Sequence, residues 1–225
     1  MPLENVLFAF MLTLFAGLST GIGSAIAFFA KEFNHRFLSI SLGFSAGVMI
    51  YVSMIEIFPK ARVSLAEIHG DKLGYWITVI SFFAGIAIIA LIDKLVPSEE
   101  NSHELKDVED MQVSEETIKK KNLLRMGMFS ALAIAIHNFP EGLATFIGGL
   151  QEPTLGVSIA VAIAIHNIPE GIAVSVPVYY ATGSKRKAFC LSFLSGLAEV
   201  FGALIGYFIL LKFFTPSVFG IVFAI

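Results

Sequence analysis

A short phrase of metal-binding residue types occurs twice in the sequence, within LAIAIHNFPEGLATF (132–146) and again 29 residues later within VAIAIHNIPEGIAVS (161–175). Imidazole nitrogens, carboxylate oxygens and amide oxygens are ligands for a divalent cation such as Zn²⁺ or Fe²⁺. The phrase therefore predicts a metal site to which both copies contribute. The candidate ligands are His137, Asn138 and Glu141 in the first copy and His166, Asn167 and Glu170 in the second.

The spacing of these residues places them on one side of a helix. At about 100° per residue, His137 and Glu141 are offset by about 40°, and Asn138 falls within the same arc. Pro140 and its counterpart Pro169 each remove a backbone donor, so we expect a bend in both helices. Because ionisable side chains are costly at bilayer depth, and both copies lie midway along apolar stretches, a functional role is indicated.

The elements that must position this phrase are long apolar segments. The chain has a mean hydropathy of +0.80, and 15% of its residues are charged, against about 25% in soluble domains. Six runs exceed the ~20 residues that a bilayer crossing needs, and a seventh begins near residue 216. We therefore expect an all-α, polytopic membrane helix bundle that forms a single transmembrane domain over residues 1–225. The complete runs cover 6–29, 38–58, 73–96, 123–150, 155–180 and 188–211.

Lysines and arginines predict the orientation of the bundle. With the N-terminus outside, eleven of them fall on the cytoplasmic side and four on the outer side, as the positive-inside rule requires. The two motif helices then cross in opposite directions, so a pseudo-two-fold axis in the membrane plane relates the copies, as at the mid-membrane sites of transporters. We expect residues 97–122, with eight acidic residues and four lysines, to form a mobile cytoplasmic loop.

The remaining composition excludes several kinds of site. The net charge is −3 and no basic run suggests a nucleic-acid partner. Cys190 is the single cysteine of the sequence, which excludes an intrachain disulfide and a thiolate metal site. Glycines spaced by four residues allow close helix packing, either within one bundle or between the subunits of a homodimer. These pairs are Gly17/Gly21, Gly43/Gly47 and Gly202/Gly206.

Glu199 is a further acidic residue at membrane depth, near the middle of the sixth run. It is either a metal ligand or a carboxyl group hydrogen-bonded to a neighbouring helix. With it, the candidate ligands number two His, two Asn and three Glu, which are too many for one four-coordinate ion, so we expect two adjacent cations. Glu56, with Met49 and Ser53 on roughly the same face, lies either at the mouth of an ion path or simply at the membrane interface.

The doubled HNxPEG phrase, together with PVYYATGSKRKA (177–188) and SGLAEVFG (195–202), resembles the ZIP (Zrt/Irt-like protein) metal transporters, and in particular a bacterial zinc-transporting branch. The resemblance covers nearly the whole chain and implies a binuclear centre with shared carboxylates. It also implies eight spanning helices, whereas this sequence stops early in the seventh run, so we expect a member truncated at the C-terminus. Carried over by motif position, one site would comprise His137, Glu141, His166 and Glu170, and the other Asn138, Glu141, Asn167, Glu170 and Glu199.

These observations favour a transporter that takes up zinc, and also iron and manganese, across a bacterial inner membrane. Its partners would be the lipid bilayer and the transported Zn²⁺, Fe²⁺ or Mn²⁺, with no prosthetic group and no enzymatic activity. Two alternatives stay open. One is an intramembrane metal-dependent hydrolase, against which the lack of an HExxH phrase argues. The other is a non-transporting membrane protein, either a truncated metal-binding chain or one whose polar groups only lock helices together.

Overall fold

The computed structural model describes residues 2–29, 35–95, 116–213 and 215–225 of the chain. Within these ranges the backbone is helical apart from short connections, and no strand is present, in agreement with the all-α prediction. A π-helical segment (Val52–Ile57) and a 3₁₀ turn (Leu210–Phe213) supplement the α-helices. The α-helices are α1 (Leu3–Phe29), α2 (His35–Tyr51), α3 (Phe58–His69), α4 (Asp71–Leu95), α5 (Glu116–Gln151), α6 (Pro153–Thr182), α7 (Lys185–Gly196), α8 (Ala198–Phe208) and α9 (Pro216–Ala224).

Five stretches of the described chain are long and apolar enough to cross a membrane, which makes this a multi-pass membrane protein. Helix α5 has 36 residues, also enough for a crossing. It is not among the five stretches. The five stretches are Leu3–Phe29, Arg36–His69, Asp71–Leu91, Pro153–Thr182 and Lys185–Phe208.

Two of the predicted helices have different limits in the structure. The second run was expected to end at Pro59, but the helical rod continues through the π-helical segment into α3. Pro59 lies in the first turn of α3, where the missing amide hydrogen matters least. The sixth run, expected over 188–211, covers Lys185–Phe208. Its two parts, α7 and α8, meet at Leu197, which keeps helical backbone angles (φ −65°, ψ −14°) just before Glu199.

Helix α6 lies at the centre of the bundle. It packs against α1, α2, α5 and α7, and α5 packs in turn against α1 and α8. The α6 span is 61% buried, whereas the span Arg36–His69 is 11% buried. The exposed side chains of α2, such as Phe37, Ile40 and Phe44, are apolar, as a lipid-facing surface requires. The described helices therefore divide into a buried group around α6 and a peripheral group.

The three glycine pairs differ in their surroundings. Gly17 lies against Gly196 of α7, and Gly202 lies against the backbone of Phe139 on α5, so the first and third pairs serve packing within the bundle. At both glycines of the second pair, on α2, an added Cβ would meet no atom within 4 Å. Tight packing inside this chain is therefore found for the first and third pairs and not for Gly43 and Gly47, where packing between subunits stays a prediction.

The last helix packs against the outer part of the bundle. Helix α9 contacts α3 and α4. Ser64 on α3 donates a hydrogen bond to the carbonyl of Pro216 (3.3 Å), and His69 lies 3.1 Å from the hydroxyl of Ser217.

The predicted polar loop falls mostly outside the described residues, in 96–115. Its last part is helical rather than a loop, because α5 begins at Glu116, well before the predicted start at residue 123.

Candidate metal centre

The two motif copies lie on an antiparallel helix hairpin. Helices α5 and α6 are joined by Glu152 alone. Near this turn Gly149 lies against Gly156, and at the far end Gly127 lies against Val178. Both helices continue through the motif prolines without a break. The hairpin therefore places the two phrases side by side, about halfway along each helix.

The imidazoles and carboxylates of the two copies converge between α5 and α6. Nε2 of His166 lies 3.1 Å from Oε1 of Glu170 and 3.9 Å from Oε1 of Glu141, which in turn lies 3.4 Å from Nε2 of His137. One nitrogen or oxygen from each of His137, His166 and Glu170 lies within 4.8 Å of the others. The His137 side chain is 35% exposed and those of the other three residues are 16% or less, so His137 lies at the rim of the cluster.

Asn167 and Glu199 form a second polar group that joins the hairpin to α8. Nδ2 of Asn167 donates to Oε1 of Glu199 and to the backbone carbonyl of Ala16 on α1 (2.9 Å). Both side chains are fully buried. The structure therefore places Glu199 beside the second motif copy, with one carboxylate oxygen held by an amide.

Asn138 occupies the corresponding position in the first copy. Its Nδ2 lies 3.3 Å from the carbonyl of Ser195 on α7. Turned by 180°, the same amide would donate to the carbonyl of Ile134 and to Oε2 of Glu170, both at 3.3 Å; such amide orientations are assigned from the surrounding hydrogen bonds. In the first orientation the amide bonds to α7, and in the second it bonds to α5 and to the carboxylate of Glu170.

Several oxygen atoms in this region are buried and lack a hydrogen-bond donor. They are Oε2 of Glu141, Oδ1 of Asn167 and Oε2 of Glu199, each without a partner among the described residues. A buried acceptor without a donor is destabilising by about 1–3 kcal/mol. Acceptors gathered in this way are the oxygen ligands that a divalent cation takes. All seven residues predicted from the sequence thus lie in one connected group on α5, α6 and α8.

The glycine that ends each phrase allows a third and a fourth helix to approach. A Cβ on Gly142 would overlap the backbone of Glu199 on α8, and a Cβ on Gly171 would overlap the carbonyl of Thr20 on α1. Because any side chain here would separate the helices, the glycine is required for the close contact of α8 with α5 and of α1 with α6.

The helices α1 and α8 carry a second pair of related phrases, which the sequence reading missed. They are GLSTGIG (17–23) and GLAEVFG (196–202), 179 residues apart. Gly23 packs against the backbone of Ile168, and Gly202 packs against Phe139, its motif counterpart. The weak signal that could have found them is the pattern Gly-Leu followed by Gly. When the two phrases are aligned, Thr20 corresponds to Glu199.

The other residues singled out from the sequence lie away from this group or at its edge. Ser53 and Glu56 are half-buried in the π-helical segment, a geometry that is frequent at functional sites. Met49 packs against the buried apolar cluster, which favours its interpretation as a packing residue. Cys190 is exposed on α7. Ser45, which the sequence reading did not select, lies 2.6 Å from Nδ1 of His166.

Comparison with known proteins supports the resemblance noted in the sequence. The model of the family described as ZIP Zinc transporter matches residues 94–222. "Zinc transporter ZupT" of Chlorobium chlorochromatii (strain CaD3) is 68% identical over 220 residues, covering 98% of this chain and 82% of the relative. The protein of the same name from Chlorobaculum parvum (strain DSM 263 / NCIMB 8327) is 64% identical over 221 residues, with the same coverage. That of Clostridium perfringens (strain 13 / Type A) is 61% identical over 230 residues, covering 97% of this chain and 81% of the relative.

The family model matches more than half of the chain, and the relatives cover nearly all of it. Both agree with the histidine–glutamate group between α5 and α6. The chain belongs to the ZIP family of zinc transporters.

Proposed function

We propose that this chain takes up divalent transition-metal cations, zinc and also iron and manganese, across a bacterial inner membrane. The supporting observation is the group of buried acceptor oxygens that lack donors, placed beside two imidazoles at mid-length of the α5–α6 hairpin. In a membrane interior such groups are expensive unless a cation or proton uses them. Oxygen and nitrogen ligands also release an ion more readily than thiolates, as a transport site requires.

Two adjacent cation sites that share carboxylates account for this ligand set. Glu141 lies between both imidazoles, and Glu170 lies beside His166 and the Asn138 amide. The nitrogen-containing site suits zinc, and the oxygen-rich site suits a harder ion such as Fe²⁺ or Mn²⁺. The first site comprises His137, Glu141, His166 and Glu170, and the second comprises Asn138, Glu141, Asn167, Glu170 and Glu199.

The spacing of the first cluster suits a site that closes around its ion. Tetrahedral ligands about 2.1 Å from zinc lie about 3.4 Å from each other. The atoms of His137, His166 and Glu170 lie within 4.8 Å of one another. Binding would therefore draw them together by about 1.4 Å or less, a movement within the reach of side-chain rotation.

The proposed topology has the N-terminus outside and counts α5 as a spanning helix, which gives six complete spans and the start of a seventh. The charge asymmetry of the sequence supports this orientation. Lys185, at the start of α7, donates to the carbonyl of Phe28 (3.3 Å), so the end of α1 and the start of α7 lie on the same side. In this topology that side is the cytoplasmic one, where Lys185, Arg186 and Lys187 meet the lipid headgroups.

The alternative functions are disfavoured in different ways. Membership of a transporter family excludes the intramembrane hydrolase, because ZIP proteins are transporters rather than enzymes. A protein whose polar groups only lock helices together would need donors for its buried oxygens, and three such atoms of the centre have none among the described residues.

The test is uptake of ⁶⁵Zn by metal-starved cells that express the chain or its Glu141→Gln/Glu170→Gln variant at equal membrane abundance. The amide variant keeps the shape of both side chains and removes two charges from the centre. We expect at least a tenfold loss of uptake. Excess Fe²⁺ or Mn²⁺ should reduce ⁶⁵Zn uptake by the parent chain if these ions share the path.

The matched control is Glu152→Gln, which removes one carboxylate that is exposed in the hairpin turn. It should transport like the parent chain. Equal uptake by the double variant and the parent would reject the proposed ligand set, and absence of uptake by the parent chain itself would reject the transport function.

A further inference from the structure

The hydroxyl group of Ser45 makes a contact unlike those of most hydroxyls in this bundle. Serine and threonine in membrane helices usually bond to the carbonyl three or four residues earlier. Thr13 and Thr145 do so, with bonds of 3.1 Å to Ala9 and 2.9 Å to Glu141. Oγ of Ser45 instead lies 2.6 Å from Nδ1 of His166, on another helix.

Ser45 is also the point at which α2 is buried. Among residues 36–51, whose side chains the structure describes, Ser45 is the one in the buried class, with 1% of its surface exposed. Its neighbour Phe44 is 63% exposed, and α2 packs mainly against α6. This buried polar residue of a largely lipid-facing helix therefore contacts an imidazole of the proposed metal centre.

The contact determines what the other ring nitrogen can do. In a neutral imidazole only one of the two ring nitrogens carries a proton, and the hydrogen bond at one nitrogen influences which tautomer is present. The Ser45 hydroxyl can donate or accept at Nδ1. If Nε2, which lies 3.1 Å from Oε1 of Glu170, used its lone pair to bind an ion, Nδ1 would carry the proton and donate to this hydroxyl. Partners of this kind orient metal-binding histidines, and their loss lowers metal affinity about 10–100-fold.

We propose that Ser45 is a positioning residue of the metal centre, which fixes the ring orientation of His166 from α2 and accepts a hydrogen bond from Nδ1 when Nε2 binds an ion. The proposal rests on the proposed function, because it takes His166 to be a metal ligand. It also connects the metal affinity of the centre to the seating of α2 on α6.

The test measures Co²⁺ affinity and the visible absorption spectrum of bound Co²⁺ in the purified full chain in detergent. Four variants are compared with the parent: Ser45→Ala, Ser45→Thr, Ser41→Ala and His166→Ala. Ser41 lies one turn before Ser45 on α2 and is half-buried, so Ser41→Ala controls for removing a hydroxyl from this helix. Thermal unfolding of each metal-free variant reports any general loss of structure.

We expect Ser45→Ala to weaken Co²⁺ binding about 10–100-fold and to change the absorption spectrum, at an unchanged unfolding temperature. Ser45→Thr, which keeps the hydroxyl, should restore both, and Ser41→Ala should match the parent. If Ser45→Ala binds like Ser41→Ala while His166→Ala binds weakly, the positioning role is wrong and the proposed ligands stand. If His166→Ala binds like the parent, the ligand assignment fails and this inference fails with it.

Discussion

The first copy of the repeated phrase packs against α8 and the second against α1, through the same contacts at corresponding positions. Gly142 lies on the backbone of Glu199, and Gly171 lies on the backbone of Thr20. The amides correspond as well, since Asn138 faces the carbonyl of Ser195 while Asn167 faces that of Ala16.

The difference between the two regions is chemical rather than architectural. At equivalent positions, α8 supplies the carboxylate of Glu199 and α1 supplies the hydroxyl of Thr20. Oγ1 of Thr20 is buried and has no partner among the described residues, whereas Glu199 is held by Asn167. The shared packing therefore gives the two regions a nearly two-fold arrangement. Because α1 has Thr20 where α8 has Glu199, only α8 supplies a carboxylate to the proposed oxygen-rich site.

The largest expected effect comes from disrupting the helix packing at Gly142 and Gly171. Gly142→Ala and Gly171→Ala should each destabilise the protein by about 1–3 kcal/mol, because the new methyl group overlaps backbone atoms of the adjoining helix. Thermal unfolding in detergent measures this. Gly43→Ala is the control, since no atom lies within 4 Å of its Cβ, and alanine there should be neutral or stabilising by up to about 1 kcal/mol. Unequal losses at Gly142 and Gly171 would show that the two regions are not equivalent in packing.

The next effect tests the chemical difference. Glu199→Gln keeps an acceptor for Asn167 but removes the charge, so we expect the second metal ion to bind at least tenfold more weakly, about 1.4 kcal/mol. Metal content per chain after equilibrium dialysis reports this as a fall from two ions towards one.

The counterpart variant Thr20→Val removes a hydroxyl that has no partner among the described residues. It should leave the metal content unchanged. Two ions retained by Glu199→Gln would instead mean that Glu199 is only a hydrogen-bonded link between helices.

The amides should give a smaller effect. Hydrogen bonds between membrane helices contribute about 0.6 kcal/mol on average and about 1.7 kcal/mol at most. Asn167→Ala removes bonds to both Ala16 (2.9 Å) and Glu199, whereas Asn138→Ala removes only contacts of 3.3 Å, to Ser195 or, with the amide turned, to Ile134 and Glu170. Unfolding of the metal-free protein should therefore show the larger loss for Asn167→Ala, and the opposite order would contradict the bonding described.

The smallest effect lies at the hairpin turn, outside the metal centre. Lys60 pairs with Glu152, and the pair and a hydrogen bond from Thr154 lower the pKa of the Glu152 carboxyl from its ordinary value of 4.5. A depressed carboxyl pKa stabilises the fold above the unfolded value and loses that contribution as the pH falls through the folded one. Because the pair is exposed, Lys60→Ala should not measurably change the unfolding temperature at pH 7. A clear drop at pH 7 that disappears near pH 3 would show the pair to be stronger than its exposure implies.

Much of the protein could be predicted from its sequence. Lengths of apolar runs predict an all-helical membrane protein. The doubled phrase predicts the proposed ligands His137, Asn138, Glu141 and their counterparts, because residues at i, i+1 and i+4 fall within one arc of a helix. The short interval between the copies forces an antiparallel hairpin. The ends of helices were less accurate, since Pro59 fits the first turn of a continuing helix and α5 begins at Glu116, well before the apolar run.

Tertiary structure alone decided which helices complete the centre. The relation between α1 and α8 depends on glycines chosen for the absence of a side chain, and such a requirement leaves almost no pattern in a sequence. For the same reason Gly43 and Gly47, with identical spacing, could not be separated from pairs that pack. The contact of Ser45 with His166 joins residues 121 positions apart, so it exists only once α2 has docked on α6.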